Sequence, residues 1–382
     1  MMEAVPAPAV EPKSWVRRVF SFPVQVFLFT RIALVATSFM GMELVPNLYL
    51  HDDDRFRLFQ PYPWVDAFCR WDCGWFRRIV EQGYPIVENA KVFPLLPMIG
   101  WAVEKVTGIH HVIVFVVVAN LASLGSYFII HKLFIEASDE DSARWGLIAF
   151  AAYPFAFFQA CAYPESLMII ATAGAILLAR RGNHVWAGLV LGLGVMARHL
   201  TLSGGTALIA AQVRQRGVNP KKLLLNWGIL GLVIPWVFLA AFSYYLYVNT
   251  GDALAFWNSR KIGWNDWVWY GARQVIMNIP YRERPEYFYY IVISMIPAAG
   301  AALLLRKKQW AELAAHGVTL MAVVLSSGAA GMGRYSASCW PAFLPIGIWL
   351  AKRPALQAPV ISCLAITQGF FWFLYSHQFR IL

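Results

Sequence analysis

Residues 112–130 read VIVFVVVANLASLGSYFII, a segment that is apolar on every side of a helix and carries no charged residue. A run of this length matches the ~20 residues that an α-helix needs to cross a bilayer. The strands of a membrane barrel are shorter and alternate apolar with polar residues. The segment therefore predicts a transmembrane helix and excludes a barrel.

The composition of the whole chain extends this interpretation. Of the 382 residues, 59% are hydrophobic and 14% are charged, which is far from the composition of soluble domains. The net charge of +11 comes from small basic clusters between apolar runs. Such clusters are typical of the cytosolic loops of membrane proteins, so we expect membrane lipids as partners and no nucleic acid.

Apolar runs bounded by charge, glycine or proline predict an all-α polytopic membrane protein with about ten to eleven transmembrane helices. The predicted helices lie near 22–46, 110–135, 143–161, 165–180, 184–198, 200–213, 222–248, 287–305, 311–330, 336–350 and 355–376. Around ARHLTLSGG the chain could form either two short helices or one kinked span. Two helices keep the later basic loops on the cytosolic side, so the break is retained.

The basic loops also predict the domain organisation. We expect a cytosolic tail at 1–21, a single transmembrane domain at 22–376 and a C-terminal tail at 377–382. Two long outward loops, 47–109 and 249–286, hold most of the carboxylates. Any chemistry is therefore expected on the extracytoplasmic side of the membrane.

The first outward loop contains two predicted interfacial helices. In WFRRIVEQ (75–82) aromatic and aliphatic residues occupy one helical face and charged residues the other, the pattern of a helix lying in the membrane interface. The segment FPLLPMIGWAVEKVTG (93–108) is apolar but short for a span, which predicts a second shallow helix.

A carboxylate, Asp72, stands between Trp71 and Trp75 at the start of the first of these helices. Aspartate is a favoured N-cap residue, so a purely structural role is one interpretation. The neighbouring tryptophans favour another, in which the carboxylate lies where hydrocarbon meets water and acts on a lipid-borne substrate. Both interpretations stay open at this point.

Several motifs resemble those of the glycosylphosphatidylinositol mannosyltransferase II (PIG-V) family, membrane glycosyltransferases of the GT-C type. They are similar to the family's elements and follow the same order along the chain. They are RWDCGWFRRIVEQGYP (70–85), VFPLLP (92–97), YPFAFFQACAYPESLMIIATAG (153–174), ARRGNHVWAGLVLGLGVMARHLTLSGG (179–205) and GRYSASCWPAF (333–343). The resemblance implies a GT-C-like bundle and transfer of a sugar, typically mannose, from polyprenyl- or dolichyl-phosphate to a glycolipid or glycan acceptor.

By its position in the motif, the resemblance implies that Asp72 is the catalytic base. One carboxylate suffices if the displacement inverts the anomeric carbon, because the lipid phosphate already leaves as an anion. That anion needs fixed positive charge, which Arg334, Arg198 and His199 are expected to supply. Alternatively, the side chains of Arg334 and Arg198 extend to the outer lipid headgroups and have no catalytic role.

We expect the substrate to contact four further residues near the base. They are Trp71, Trp75, Tyr163 and Glu165. Glu165 follows a proline at a helix start, where an acid also complements the helix dipole. The donor is a substrate, and the resemblance implies neither a cofactor nor a metal. Asp52, Asp53 and Asp54 could hold a divalent cation, but a solvated loop is the preferred interpretation.

Other polar residues predict structure rather than chemistry. Arg31 lies inside the first span and is expected to pair with a partner in the bundle or to face a hydrated cavity. A disulfide between Cys69 and Cys73 is conceivable, but a spacing of four on a helix is poor geometry for it. His110–His111 and His377 are expected to be isolated interfacial side chains.

Two other classes of protein compete with an enzyme. A transporter or flippase would also have many helices and a buried arginine, but its sequence usually shows internal repeats and polar residues in several spans. Neither is evident here. An inactive scaffold is the third possibility. We expect a bacterial or archaeal cytoplasmic membrane, with the endoplasmic reticulum as the alternative.

Overall fold

The computed structural model describes residues 21–44, 63–263, 285–326, 329, 331–377, 379 and 381. Within these ranges every regular element is helical. The predicted tail at 1–21, the Asp52–Asp54 run and most of the loop at 249–286 lie outside the described residues.

The α-helices vary from one turn to more than seven turns. In chain order they are α1 (Phe22–Leu44), α2 (Pro63–Asp66), α3 (Cys73–Gln82), α4 (Leu95–Thr107), α5 (His111–Ala137), α6 (Glu140–Ala152), α7 (Glu165–Arg180), α8 (His184–Ala197), α9 (Gly204–Arg216), α10 (Pro220–Leu224), α11 (Gly228–Thr250), α12 (Ala255–Gly263), α13 (Pro285–Leu304), α14 (Ala311–Ser326), α15 (Met332–Ser336), α16 (Phe343–Ala351) and α17 (Pro354–Ser376). Short 3₁₀ helices are Val87–Lys91, Ala156–Gln159, His199–Ser203, Lys308–Trp310 and Trp340–Ala342.

Five of the described helices are long and apolar enough to cross a membrane. These spans are Phe22–Gly41, His111–Ala137, Gly228–Thr250, Tyr287–Leu304 and Pro354–Ser376. They leave large apolar side chains such as Phe29, Leu121 and Ile366 exposed on the protein, as lipid-facing surfaces do. The chain is an all-α polytopic membrane protein. The count of ten to eleven spans includes shorter helices and stays a prediction.

Proline and glycine set the main departures from the predicted boundaries. The helix predicted near 143–161 ends at Ala152, because Pro154 disfavours a helical backbone at Tyr153. The break predicted near ARHLTLSGG is confirmed: α8 ends at Ala197, a 3₁₀ turn follows, and α9 begins at Gly204. The helix predicted near 336–350 begins only at Phe343, after the 3₁₀ turn that contains Pro341.

Close helix contacts hold the bundle around α7. Helix α8 packs between α7 and α11, and α6 packs against α16. A side chain at Gly347 would overlap the backbone of α6 at Gly146, and one at Gly188 would overlap the backbone of α11 at Gly231. Glycine is therefore needed wherever these backbones meet.

Arg31 has partners inside the bundle, as predicted. Its Nε donates to Asn120 Oδ1 at 2.7 Å and its Nη2 donates to Ser123 Oγ at 2.5 Å. The guanidinium also lies 4.7 Å from the ring centre of Phe27. These contacts reduce the cost of placing a charge within the span α1.

Candidate active site

A disulfide closes the loop that carries Asp72. Cys69 and Cys73 are bonded, with their Cα atoms 5.2 Å apart. The sequence-based objection assumed that both cysteines lie on one helix, and that assumption is wrong. Cys73 is the first residue of α3, whereas Cys69 precedes the helix, and Trp71 between them has a left-handed backbone with φ of 50°. That turn brings the two cysteines together.

Helix α3 is amphipathic, and its apolar face packs on the bundle. Phe76 and Ile79 are buried, and the ring of Phe76 contacts the rings of Phe115 and Tyr163 at centroid distances of 6.5 and 5.9 Å. The polar face, including Arg78 and the end of the helix, is exposed. This packing fixes the position of α3, and with it Asp72, relative to the bundle.

Asp72 occupies the N-cap position of α3 but does not cap it. Its side chain makes no capping hydrogen bond. Instead, Oδ2 accepts from Nη1 of Arg334 at 2.5 Å. The backbone N–H of Asp72 donates to Tyr163 Oη at 3.1 Å, and that hydroxyl donates to the carbonyl of Arg70 at 2.7 Å. The carboxylate is thus directed away from its own helix and toward α15.

Glu165, the first residue of α7, joins two arginines. One oxygen, Oε1, is bonded to Nε of Arg334 and to Nη1 of Arg198. Glu165 is 1% exposed, Arg334 is 3% exposed and Arg198 is 8% exposed, so all three charges are withdrawn from solvent. The second oxygen of Glu165 and Nε of Arg198 are buried without a hydrogen-bond partner.

These contacts form a continuous row of alternating charges, Asp72–Arg334–Glu165–Arg198, which we call the charge row. Its four formal charges sum to zero, which is what burial of ionised groups requires. Only the Asp72 end is open, with 19% of that side chain exposed. The arginines also lie over aromatic rings. Arg334 is 4.3 Å from the ring centre of Tyr163, and Arg198 is 4.3 Å from the ring centre of Tyr335.

A narrow cleft runs along the charge row. Its volume is about 30 Å³, room for one or two water molecules. The lining residues are Asp72, Trp75, Phe76, Lys91, Val92, Phe93, Pro164, Ala197, Arg198, His199 and Arg334. Cationic, acidic and aromatic groups therefore meet on one concave surface.

Lys91 is a cleft residue that the sequence interpretation did not include. It ends the 3₁₀ turn before VFPLLP, and its ammonium lies 3.5 Å from the ring centre of Trp75. Partial burial lowers the pKa of Lys91, and the carboxylates of Asp72 and Glu88 offset part of this effect. The sequence feature that could have indicated Lys91 is its position directly before the VFPLLP motif (92–97).

The structure brings most of the predicted site residues together. The charge row contains the predicted base and three of the predicted binding residues. Trp75 and His199 line the cleft, where the His199 ring lies 5.5 Å from that of Phe93. Tyr163 supports the site from below through its hydroxyl. Trp71 is directed elsewhere, because its indole N–H donates to the carbonyl of Phe379 at 3.2 Å.

A second buried acid lies at the other end of α7. Glu312 is fully buried, with Oε2 3.4 Å from Nη2 of Arg180 and Oε1 2.6 Å from Nε of Arg214. Because α7 runs from Glu165 to Arg180, about 22 Å separates this cluster from the charge row. The two clusters thus lie at opposite ends of α7.

His110 and His111 are not isolated, contrary to the sequence-based expectation. Their rings stack at 4.2 Å, and Nδ1 of His111 lies 2.9 Å from Oε2 of Glu104. The turn between α4 and α5 folds these residues together, a tertiary proximity that their spacing alone did not suggest.

Comparisons with known proteins add little to this geometry. The sequence matches no family model and has no significant match among curated proteins. Among solved structures, the chain is similar to the Archaeoglobus fulgidus oligosaccharyltransferase in complex with zinc and sulfate, with 13% sequence identity and a TM-score of 0.46. The alignment covers 91% of this chain and 53% of that one, so this chain spans about half of that enzyme's length. A likeness this weak carries no functional argument.

Proposed function

We propose that this protein is a membrane glycosyltransferase of the GT-C type. It transfers mannose from a polyprenyl-phosphate donor to a lipid-linked or glycan acceptor on the extracytoplasmic side of the membrane. The observation that carries the proposal is the charge row beside the cleft. It combines one partly exposed carboxylate with two buried arginines, the groups that an inverting transfer from a lipid phosphate requires.

Asp72 is the proposed base. The acceptor hydroxyl attacks the anomeric carbon of the donor, and the new bond from that oxygen to carbon forms as the bond from carbon to phosphate oxygen breaks. The acceptor proton passes to Asp72, and the bonding electrons leave with the polyprenyl phosphate. One carboxylate completes this inverting step, since the leaving group needs no proton.

Arg334 connects the base to the proposed phosphate site. In the structure its Nη1 is bonded to Asp72, and Nε is bonded to Glu165. A donor phosphate would compete with these carboxylates for the guanidinium. As Arg334 turns toward the phosphate, Oδ2 of Asp72 becomes available to accept a proton. The base is thus released by donor binding, which limits side reactions with water.

The remaining cleft residues fit an amphipathic donor. Lys91, Arg198 and His199 add cationic or hydrogen-bonding groups for the phosphate, and Trp75 and Phe93 offer rings for the sugar face or the first isoprene units. A cleft of about 30 Å³ is too small for a hexose, so its walls must separate as the donor enters.

The test is mannosyl transfer by the purified protein. Radiolabelled polyprenyl-phosphate mannose is supplied with a panel of glycolipid acceptors, and the labelled product is separated from the donor. We expect product from the wild type and a loss of at least about 100-fold in Asp72→Asn, which keeps the shape but not the base. Glu81→Gln, an exposed carboxylate on the same helix, is the matched control and should retain full activity.

The results separate the competing functions. Unchanged turnover in Asp72→Asn would exclude this residue as the base. If the wild type makes no product with any acceptor but moves labelled donor across a vesicle bilayer, the protein is a flippase and not a glycosyltransferase. Binding of donor with neither transfer nor transport would leave the inactive scaffold.

A further inference from the structure

A cluster of metal-binding side chains lies at the junction of α4 and α5, outside the cleft. Helix α4 ends at Thr107, and Gly108 takes a left-handed backbone with φ of 74° that reverses the chain. Helix α5 then begins at His111. The turn places Glu104, in the last turn of α4, against the two histidines at the start of α5.

The three side chains converge on one point. One ligand atom from each of Glu104, His110 and His111 lies within 4.8 Å of the other two. Oε2 of Glu104 and Nδ1 of His111 are 2.9 Å apart. Ligands bound to zinc at about 2.0–2.2 Å with tetrahedral angles are about 3.3 Å apart. Binding therefore requires the Glu104–His111 contact to lengthen slightly and the stacked His110 ring to turn a nitrogen toward the ion.

A hydrogen bond between α4 and α5 joins two of the three side chains. It links Oε2 of Glu104 to Nδ1 of His111, and the second imidazole, that of His110, is stacked beside it at 4.2 Å. The backbone N–H of Val112 donates to Nδ1 of His110 at 3.2 Å and fixes that ring in place. His111 is 3% exposed, and its Nε2 is buried without a hydrogen-bond partner. Nδ1, the other nitrogen of this ring, faces Glu104, so an ion shared by the two residues would bind Nδ1.

The surroundings also suit a cation. The carboxylate of Glu104 is 31% exposed, which leaves an entry path for an ion. The nearby Arg77 is bonded to Glu81 at 2.7 Å, so its charge is balanced. Two imidazoles and one carboxylate are the donor set of known zinc sites, with a fourth position left for water.

We propose that Glu104, His110 and His111 bind one Zn²⁺ ion. The site joins the end of α4 to the start of α5 and fixes the turn between them. It is independent of the proposed transfer reaction, because none of its ligands lines the cleft. Its role is to hold the segment that leads from the VFPLLP motif into the span α5.

The test measures zinc binding by the intact 382-residue chain in detergent. The protein is treated with EDTA, dialysed and titrated with ZnCl₂ by calorimetry, with MgCl₂ as the comparison ion, and bound metal is counted by mass spectrometry. We expect one zinc per chain, a rise in unfolding temperature with zinc alone, and at least tenfold weaker binding in Glu104→Gln and in His110→Ala. Glu104→Gln retains a hydrogen-bond acceptor for His111, so its fold is kept.

The matched control is His131→Ala. His131 is also buried near a carboxylate, Glu140 at 3.9 Å, but it lies about 30 Å away along α5. The His131→Ala variant should bind zinc with the same affinity as the wild type. The proposal is overturned if the wild type retains no zinc, or if Glu104→Gln and His110→Ala bind it as tightly as the wild type. Loss of binding in His131→Ala but not in those variants would also overturn it.

Discussion

The substitution Arg334→Lys tests whether the charge row depends on the fork of the guanidinium or only on its charge. Arg334 uses two different nitrogens, Nη1 toward Asp72 and Nε toward Glu165. Lysine keeps the positive charge but has one nitrogen at the end of a flexible chain. It can approach one carboxylate closely, and the other then loses its buried partner.

The magnitude follows from the contact that is lost. A hydrogen bond to a charged group contributes about 1.5–3 kcal/mol. Since Glu165 and Arg334 are 1% and 3% exposed, water does not replace a missing contact between these two residues. If the same contact orders the base in the transition state, kcat/KM falls by roughly 10- to 150-fold at about 1.4 kcal/mol per tenfold. The control Arg77→Lys alters an exposed pair with Glu81 and should change the rate little.

The assay combines initial rates of mannosyl transfer with thermal unfolding. Rates are taken well below the unfolding temperature of each variant, so that loss of folded protein does not count as loss of catalysis. If Arg334→Lys transfers mannose within twofold of the wild type, the two-carboxylate bridge does not order the base. If stability falls and the rate does not, the charge row is a structural feature only.

Other predictions concern the parts that hold the site. Cys69→Ser removes the disulfide and should lower kcat by up to about 100-fold, because Asp72 is then displaced. A mild reductant should lower kcat of the wild type in the same way and leave kcat of the variant unchanged. Glu312→Gln should lower the unfolding free energy by about 3–5 kcal/mol and leave KM unchanged, as denaturation and rate curves would show. Gly347→Ala should destabilise the α6–α16 contact, whereas Gly369→Ala, which meets open space, should be neutral; equal unfolding temperatures would contradict the close packing.

The spans could be predicted from the sequence because hydrophobic length is a local property. A run such as 112–130 identifies its helix without information from the rest of the chain. The break between α8 and α9 was also predictable, since glycines and polar residues interrupt the apolar pattern there. Helix ends were less predictable: α6 stops at Ala152 because of one proline that the hydrophobic pattern ignores.

The contacts within the site could not be predicted in the same way. Asp72 and Arg334 are 262 residues apart, and no local pattern relates them. Their association was suggested only by motifs that resemble one family. The sequence does not distinguish Lys91 from other loop lysines, which are usually solvated. A spacing of four disfavours a disulfide only when both cysteines lie on one helix, and here Cys69 precedes the helix that begins at Cys73.

The backbone around Asp72 suggests why so many contacts meet there. A left-handed conformation at a bulky residue such as Trp71 costs about 1–3 kcal/mol, and it persists only where other contacts require it. Here the disulfide spans the turn, the Tyr163 hydroxyl bonds the backbone on both sides of Trp71, and the indole is bonded to the C-terminal segment. A helix cap needs none of these supports. They fix the direction of one carboxylate toward α15, which is the property that a positioned base requires.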